Sequence, residues 1–586
     1  MQSVLYRRKN TSFELEPLKQ IMAEQKIFEL PALGLPFELG TLYNANTNQI
    51  VPGISLWEYD DRNANVHVCN NPTHKSYLTT KDSLESKLDS LDIRGNLIIN
   101  VLANKVDVKG SGAFLKERKT SKAQARLVLV TRGTTKDKFV SMDHFSKEKV
   151  KCHNEFIKIS GATHVVVRIT YGYEFFMILE TTCESEEEKL KVEEKLELKV
   201  AAPLQGDVKG WYETREEKKL NKLTVRTIGN VKIPSNPTSF EEAILIYKRI
   251  PEFVKDNECP MTVHLLPLAF IYPSLPKVCS PIKESVLISV TAVFEDISNL
   301  EIALSGIQTS DIATIEPRIR RKAKTLSTML KGHIIWMQMK LHDIISDSKM
   351  ENDSSGSEQI EKVVKKHENS PFSTEILGKY VSKMEKEVCF INNLVRMFRF
   401  SNDDGSSGDC NITIDIYSDE TNVLIPFERY KVFVLEIPIV RVEDTLLKEM
   451  QKYNPDNDGS LTRQAEAFPL PFEDEKMQRK ILKCAKDFVK LAYTNDDNGN
   501  AKFRCVFKGY RINAEPTINV YNASTGDIEP YYHKSPEPKS VSLGQRNEGE
   551  PKISAYKSTT ADVYTSRSHM PSQNVRSLMS RFEGKC

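Results

Sequence analysis

An α+β multidomain protein is predicted from three observations about the 586-residue chain. Residues 30–273 are rich in strand-like segments with helical inserts, residues 290–400 carry apolar stripes at helical spacing, and residues 412–521 combine strand patterns with one helix. Such hydrophobic periodicity is the main sequence indicator of secondary structure. Chains longer than about 300 residues usually divide among several cores. We therefore expect three structured domains in sequence order.

Two stretches in the first part of the chain alternate between apolar and polar residues. Alternation at every second position places the apolar side chains on one face of a strand, and each stretch exceeds the roughly 9–11 residues of a transmembrane β-strand. The apolar members of the first stretch, whose phase shifts after Lys105, are Leu91, Ile93, Leu97, Ile99, Val101, Val106 and Val108. Those of the second stretch are Leu190, Val192, Leu196, Leu198, Val200, Leu204 and Val208. Both sets are candidate membrane-inserting residues.

The alternation leaves other interpretations open. A sheet with one face on the protein core shows the same pattern, and residues 184–200 consist of good helix formers. If the stretches enter a bilayer, they cannot do so as one isolated hairpin, because its edge backbone groups would lack hydrogen-bond partners there. Insertion therefore requires many copies that join edge to edge into a closed barrel. The expected partners are a lipid membrane and further copies of the chain, assembled into ring oligomers.

Residues 274–400 are predicted to form a small helical bundle. Three apolar stripes repeat at spacings of three and four, as the buried faces of packed helices do. They consist of Ile297, Leu300, Leu304 and Ile307; of Leu326, Leu330, Ile334, Met337, Leu341 and Ile344; and of Leu377, Val381, Met384, Val388, Ile391 and Val395. Pro317 is expected to end the first helix before it.

Residues 401–525 are predicted to form a compact α/β domain. Residues 432–440 are apolar enough for a buried strand. Strand-type alternation occurs at Ile412, Ile414 and Ile416 and again at Phe503, Cys505 and Phe507, and one helix face carries Ile481, Ala485, Phe488 and Ala492. Residues 526–586 contain Pro, Ser, Lys and Glu without periodicity, which predicts a disordered tail.

The composition is that of a globular protein without a strong electrostatic bias. Hydrophobic residues make up 39% of the chain, and 82 Lys and Arg residues nearly balance 80 Asp and Glu residues. Proteins that bind phosphate backbones usually carry a basic excess, so nucleic acid is not an expected partner. The ten cysteines show neither CxxC nor zinc-ligand spacing, which predicts free buried thiols, a reducing compartment during folding and no metal site.

Targeting signals and catalytic motifs are not found. The first 26 residues lack the apolar core of a secretory signal, and no run of 18 apolar residues predicts a transmembrane helix. The soluble form is therefore expected to be cytoplasmic or secreted by a non-classical route, and to associate with a membrane when active. No P-loop, GxGxxG, GxSxG or HExxH motif occurs. We therefore expect a protein that is not an enzyme, with no catalytic residues and no cofactor.

Five long strings occur in one order along the chain. They are PALGLPFELGTLYNANTNQIVPGISLW (31–57), KTSKAQARLVLV (119–130), GATHVVVRITYGYEFFMIL (161–179), IPSNPTSFEEAILIYKRIP (233–251) and SPFSTEILGKYVSKMEKE (370–387). They resemble the stonustoxin and neoverrucotoxin family of fish venom cytolysins. That family is a branch of the membrane-attack-complex/perforin/cholesterol-dependent-cytolysin (MACPF/CDC) superfamily. The resemblance extends over residues 31–521.

The resemblance implies a domain order. An N-terminal extension (1–30) precedes a perforin-like domain (31–273), whose bent antiparallel β-sheet has flanking helical clusters. A helical bundle like a focal-adhesion-targeting domain (274–400) follows, and then a thioredoxin-like α/β domain without a redox CxxC (401–525). In that architecture the clusters that unfold into transmembrane hairpins fall at about 82–131 and 182–227.

The resemblance also implies a function, namely a pore-forming, hemolytic toxin that oligomerises on membranes, with a homologous second subunit as a further partner. Each subunit would insert two amphipathic β-hairpins into a β-barrel pore. The alternative is a non-lytic intracellular binding or scaffold protein of the same family, which the missing secretory signal favours. Two departures from the family pattern bear on target binding and on lytic activity. A polar tail stands where the venom proteins carry a PRY-SPRY domain. Residues 213–219 are also highly charged, and a lipid-facing Lys or Arg costs about 2–4 kcal/mol, so they are expected in a turn or in the lumen.

Overall fold

The computed structural model describes residues 27–57, 66–106, 109–141, 150, 154–183, 185–205, 223–254, 258–272, 275, 281–346, 355–399, 412–415, 431–440, 444–456, 474–495, 501–510, 514–522 and 528–531. The predicted N-terminal extension lies outside these residues up to residue 26. The predicted tail lies outside them except for residues 528–531.

The first domain is built on an antiparallel sheet that has nine strands within the described residues. They are β1 (Phe28–Pro31), β2 (Thr41–Asn44), β3 (Gln49–Ser55), β4 (Val66–Asn70), β5 (Lys75–Thr79), β6 (Gln124–Val140), β7 (His164–Thr182), β8 (Thr224–Gly229) and β9 (Cys259–Pro267). β6 and β7 form the long central pair. At one end of this pair β5 flanks β6 and β8 flanks β7, and at the other end β4 and β9 do so. β1 pairs with β9, so the sheet begins before the predicted boundary at residue 31.

A β-bulge interrupts the central pair about half-way along. The register of β6 and β7 shifts between Thr134 and Lys136, and a bulge bends a strand and increases its twist. A Cβ atom on Gly172 would lie 2.1 Å from the Gly133 carbonyl oxygen, and one on Gly133 would lie 2.2 Å from the Thr73 carbonyl oxygen. Only glycine permits so close an approach of two backbones. The bend of the sheet that the resemblance implies stays a prediction, which a bulge at this position supports.

Helices cover both faces of this sheet. They are α1 (Leu84–Ser90), α2 (Asn96–Leu102), α3 (Asn154–Ser160), α4 (Glu186–Gln205), α5 (Phe240–Phe253) and α6 (Leu268–Ile271), with a 3₁₀ helix at Gly110–Lys116. Because side chains alternate across a strand, Val128 and Val130 of β6 enter the core beneath α1 and α2. Leu127 and Leu129 enter a second core beneath α4 and α5.

The helical region follows as predicted, with more helices than the stripes indicated. Its helices are α7 (Glu284–Thr309), α8 (Asp311–Ile315), α9 (Pro317–Ser346), α10 (Ser355–Glu368) and α11 (Thr374–Arg399). The three stripes lie on α7, α9 and α11, and their side chains are buried except for Ile334 and Val388, which are partly buried. Pro317 begins α9, where the missing N–H costs no intrahelical hydrogen bond.

Within the described residues, the last region is a mixed sheet with two helices. Its elements are β10 (Ile412–Asp415), β11 (Lys431–Val440), α12 (Thr445–Lys452), α13 (Glu475–Asn495), β12 (Ala501–Tyr510), β13 (Thr517–Asn522) and β14 (Ile528–Pro530). The strand order is β10-β12-β11-β13-β14, with the first three parallel and the last two antiparallel. The predicted helix face of α13 is buried, and it shares one apolar core with the helical region. β14 lies beyond the predicted domain end at residue 525, and Ile416 lies outside the described residues.

The cysteine prediction is correct in part. None of the six cysteines within the described residues forms a disulfide. Cys183 and Cys505 are buried, whereas Cys69 and Cys389 are exposed. The prediction of buried thiols is therefore wrong for Cys69 and Cys389, because nearly all of β4 is exposed and Cys389 lies on the exposed side of α11.

A buried histidine pair joins α9 to α10. His333 Nε2 and His367 Nδ1 lie 3.1 Å apart, and the His333 ring stacks on Phe372 with ring centroids 4.7 Å apart. Burial lowers the pKa of His333 to about 3 and that of His367 to about 4. Both imidazoles are therefore neutral in the native protein at neutral pH.

We expect Gly172→Ala to destabilise the first domain, since its Cβ would overlap the Gly133 carbonyl. Forcing extra atoms into a packed site costs roughly 1–3 kcal/mol. The measurement is the thermal unfolding midpoint, followed by circular dichroism. Gly332→Ala on α9 is the matched control, because nothing lies within 4 Å of its added Cβ and alanine favours a helix interior. An unchanged midpoint for Gly172→Ala contradicts this account of the bulge.

We also expect the native state to lose stability as the pH falls from about 6.5 to about 4. Unfolded imidazoles take up protons below about 6.5, whereas the buried pair stays neutral until near pH 4, so the free energy of unfolding falls by about 2 kcal/mol or more. The measurement is the thermal midpoint against pH. His367→Gln should flatten the profile, and His342→Gln, at a less buried site on α9, should not. Equal profiles for the two variants contradict the assignment.

Candidate functional site

Both alternating stretches lie in connections between the central strands of the first sheet. Segment 1 (residues 80–123) joins β5 to β6, and segment 2 (residues 183–223) joins β7 to β8. Each segment leaves the sheet at the end of one strand and returns at the start of the strand that pairs with it. A segment in this position lengthens both of its flanking strands if it becomes extended.

Segment 1 is folded as short helices, not as a strand. Ser83 caps α1 by accepting a hydrogen bond from the Ser86 N–H at 3.1 Å. Asp92, Gly95 and Asn104 all have positive φ angles, between 54° and 56°. Asp92 and Gly95 lie between α1 and α2, and Asn104 follows the end of α2. Segment 1 therefore does not form the strand that its alternation of apolar and polar residues would permit.

The apolar residues of segment 1 are nearly all buried. They enter two different cores, because α2 lies between the sheet and the helical region. The buried members are Leu91, Ile93, Leu97 and Val106, which pack toward the sheet, and Ile99, which packs with the helical region. Val101 is half-buried, and Val108 lies outside the described residues.

The helical region holds segment 1 by polar contacts as well. The Asn96 Oδ1 accepts a hydrogen bond from the Ile282 N–H at 2.8 Å, and Gln338 donates to the Leu102 carbonyl at 3.2 Å. The end of the segment also lies close to α7, because a Cβ atom added to Gly306 would be in van der Waals contact with the Ser121 Cβ, at 3.7 Å. Segment 1 cannot extend while these contacts persist.

Segment 2 begins with α4, which divides the alternating set into two faces. Val192, Leu196 and Val200 recur every four residues, as one helix face requires, and are fully buried against the sheet. Leu190 and Leu198 lie on the other face and are 64% and 54% exposed. The apolar residues of the second stretch stand at even-numbered positions, and the charged residue Glu194 interrupts them. The Leu204 side chain and all of Val208 lie outside the described residues.

A buried ion cluster lies where both segments meet the sheet, and Arg126 of β6 is at its centre. Its guanidinium donates to both carboxylate oxygens of Asp82 at 3.1 Å, to Glu180 Oε2 at 2.8 Å and to the Arg118 carbonyl at 2.9 Å. The Arg126 backbone N–H donates to Glu193 Oε1 of α4 at 3.1 Å. Only 1% of the Arg126 side chain is exposed.

Two lysines of segment 1 complete the inner part of this cluster. Lys87 Nζ lies 3.0 Å from Asp82, and Lys119 Nζ lies 3.5 Å from Glu193. Burial lowers the pKa of both lysines, and the neighbouring carboxylates, Asp82 and Glu193 respectively, oppose that shift. These lysines therefore depend on their carboxylate partners to remain charged away from water.

A cavity of about 750 Å³ opens beside the cluster. It is lined by segment 1, by the first turn of α4 and by α7, including Lys87, Lys119, Lys189 and Phe294. Within the described residues, no group of three or more His, Cys, Asp or Glu side chains is placed to hold a metal ion. No described helix combines the length and apolarity needed to cross a membrane.

Comparison with known proteins shows what the chain is similar to. Residues 27–210 match the family model described as "SNTX, MACPF/CDC-like domain", and residues 292–389 match the "Stonustoxin helical domain". The resemblance to the stonustoxin family is confirmed. The chain therefore has a stonustoxin-like MACPF/CDC fold, with an antiparallel sheet followed by a helical region.

Individual relatives agree with this assignment. Verrucotoxin subunit beta of Synanceia verrucosa is 25% identical over 370 residues, which are 62% of this chain and 52% of the toxin subunit. Cytolytic toxin-beta of Scorpaena plumieri is 28% identical over 280 residues, 47% of this chain and 40% of the toxin. A solved stonustoxin structure matches with a TM-score of 0.63 at 18% identity, over 86% of this chain and 70% of that one. The chain spans about half the length of the curated relatives it matches.

The buried ion cluster was not anticipated from the sequence, although a signal for it is present. Arg126 stands inside the apolar run of β6, and Glu180 stands near the end of the apolar run of β7. Charged residues are almost never fully buried unless they are paired. Two opposite charges in adjacent buried strands therefore indicate an internal ion pair.

Proposed function

We propose that this protein is a pore-forming cytolysin, in which segments 1 and 2 of each subunit extend on a membrane into two amphipathic β-hairpins. The observation that carries the proposal is that α4 places the alternating apolar residues of segment 2 on two faces, one buried and one exposed. A helix of this kind needs apolar residues only on the face of Val192, Leu196 and Val200, yet Leu190 and Leu198 are exposed. In a strand all five side chains share one face. The pattern therefore suits an extended state better than the helix.

The sheet edges support oligomerisation. Among the described residues, β5 pairs only with β6, and β8 pairs only with β7. Unpaired edge strands are templates for pairing with another chain, and β5 and β8 lie on opposite sides of the sheet. Copies joined from β5 of one to β8 of the next would bring their extended segments into one continuous barrel, which leaves no open edge in the bilayer. The proposed partners are thus a lipid membrane and other subunits in a ring.

The subunits named among the relatives suggest which chains such a ring would contain. Stonustoxin of Synanceia horrida has an alpha and a beta subunit, which are 26% and 25% identical to this chain over the matched residues. A homologous second subunit is therefore part of the proposal. The mode of action needs neither catalysis nor a cofactor, because the work is done by transfer of apolar surface from the protein core to lipid.

Two domain assignments also belong to the proposal. The mixed sheet of residues 412–530 supports a thioredoxin-like domain, because the parallel strands β10, β12 and β11 are followed by β13 and β14, each antiparallel to the strand before it. It would be a structural domain, since it lacks a CxxC pair and a redox role requires two neighbouring thiols. The bundle of α7 to α11 is proposed to be like a focal-adhesion-targeting domain.

A specific observation favours the alternative, a non-lytic binding or scaffold protein of the same family. Segment 1 is held between the sheet and the helical region, with apolar and polar contacts on both sides. A protein in which the segment never extends would have this same arrangement. Vesicle leakage separates the two functions.

We expect a disulfide between Ser121→Cys and Gly306→Cys to block leakage of dye-loaded vesicles, and a reductant to restore it. The 3.7 Å Cβ–Cβ separation matches the mean of about 3.8 Å in disulfides, and the bond would fasten segment 1 to α7. The measurement is dye release with electron microscopy of the same vesicles, in which rings are expected.

The controls are the two single-cysteine variants and the wild-type protein under the same oxidant, because Cys69 and Cys389 are exposed thiols. Leakage that persists with the disulfide formed contradicts extension of segment 1. Absence of binding, rings and leakage for the reduced protein, across vesicle compositions and with a related second subunit added, favours the non-lytic alternative.

We expect Leu198→Ser to lower leakage several-fold without changing the thermal midpoint. Leu198 is more than half exposed in α4, so its loss costs at most about 0.5 kcal/mol there, whereas in the strand it would face lipid. Leu196→Ser should lower both quantities, since Leu196 is fully buried. Lys191→Ser, on the polar side of the alternation and exposed on α4, is the control and should alter neither. Normal leakage by Leu198→Ser contradicts a lipid-facing position.

A further inference from the structure

Beyond the act of pore formation, the structure bears on how the two segments are released. We propose that the buried ion cluster around Arg126 couples segment 1 to segment 2, so that the two leave the sheet together. This inference rests on the proposed function for its purpose, but the coupling itself is a property of the soluble protein.

The charges of this cluster balance, and they come from five parts of the fold. The Arg126 cluster comprises four cations and four anions: Asp82, Lys87, Glu117 and Lys119 of segment 1, Glu193 of segment 2, Arg126 of β6, Glu180 of β7 and Arg226 of β8. Arg226 lies 2.8 Å from Glu117 and 3.0 Å from Glu180. Both segments are thus tied to one set of sheet charges.

The apolar contacts of the two segments do not provide this link. Segment 1 packs on the face of the sheet that carries Val128 and Val130, whereas α4 packs on the face that carries Leu127 and Leu129. The two segments therefore belong to different cores, separated by the sheet itself. The Arg126 cluster joins them. Arg126 lies near the start of β6, where its guanidinium contacts Asp82 of segment 1 and its backbone N–H contacts Glu193 of segment 2.

Departure of segment 2 would remove Glu193 from this cluster. Lys119 of segment 1 would lose its carboxylate, and the Arg126 N–H would lose its acceptor. Breaking a buried pair by removing one partner is strongly unfavourable because the other charge is left uncompensated. The remaining charges of segment 1 would then be better placed in water than in the protein.

Departure of segment 1 has the reciprocal effect. It would remove Asp82 and the Arg118 carbonyl from Arg126, and Lys119 from Glu193. Glu180 would remain as the carboxylate of Arg126, and Glu193 would be left without an ion partner in this cluster. The neighbouring cavity would admit water to both groups. Each segment therefore stabilises the attachment of the other.

Hydrogen exchange of the full chain in solution, followed by mass spectrometry of peptides, tests this coupling without any membrane. In Glu193→Gln the amide oxygen still accepts from the Arg126 N–H, but the ion pair with Lys119 is lost. We expect exchange to rise about tenfold in residues 186–200 and by a similar factor in residues 83–106, because a hydrogen-bonded buried charge pair contributes on that scale.

The matched control is Glu187→Gln. Glu187 lies on the same helix, pairs with Lys191 on the surface at 2.8 Å and is 80% exposed, so exchange should be unchanged in both segments. Lys87→Met is the reciprocal variant. It removes a charge from segment 1 while retaining most of the side-chain volume, and it should raise exchange in residues 186–200 of segment 2.

The coupling is overturned if Glu193→Gln accelerates exchange in residues 186–200 alone, or in neither segment. Vesicle leakage by the wild-type protein, measured in parallel, tests the proposed function separately. Coupled exchange without leakage supports the cluster and overturns the pore, whereas leakage with uncoupled exchange overturns only the coupling.

Discussion

Strands β6 and β7 pair from Gln124 and Thr182 at one end to Phe139 and Arg168 at the other, and the remainder of the first domain is attached to that ladder. Both segments branch from it, and its two faces carry two separate apolar cores. The register of this ladder shifts at one point, the bulge at which Gly133 and Gly172 approach too closely for any side chain.

The two segments show a conflict between local pattern and native conformation. Segment 2 alternates with a period of two but is folded with a period of 3.6, so that α4 buries three of its apolar residues and exposes Leu190 and Leu198. In segment 1, left-handed residues at Asp92 and Asn104 interrupt what would otherwise extend. Native sequences usually agree with their structure at each level, and places where they do not are expected to be functional sites.

The two segments are held by different neighbours. α2 lies between the sheet and the helical region, and this region shares its core with α13 of the last region. Segment 1 is therefore connected through packed side chains to elements far along the chain. α4 packs against the sheet and α5 in a core that contains no residue of the helical region. Because the apolar surroundings differ in this way, the charges around Arg126 are where the two segments have partners in common.

The sequence by itself determined the helical stripes, the strands β10, β11 and β12 of the last region and the resemblance to the stonustoxin family. These features depend on neighbours a few residues apart, or on long ordered strings, which a single chain displays directly. The alternation left open whether segment 1 is a strand or helical, because a core-facing sheet and a membrane strand share this pattern and it does not exclude a helix. The resemblance implied a helical cluster there, and only the tertiary structure placed its helices at Leu84–Ser90 and Asn96–Leu102. It also decided the cluster around Arg126. Asp82 lies 44 residues before Arg126 and Glu193 lies 67 residues after it, and no local periodicity records which charges folding brings together.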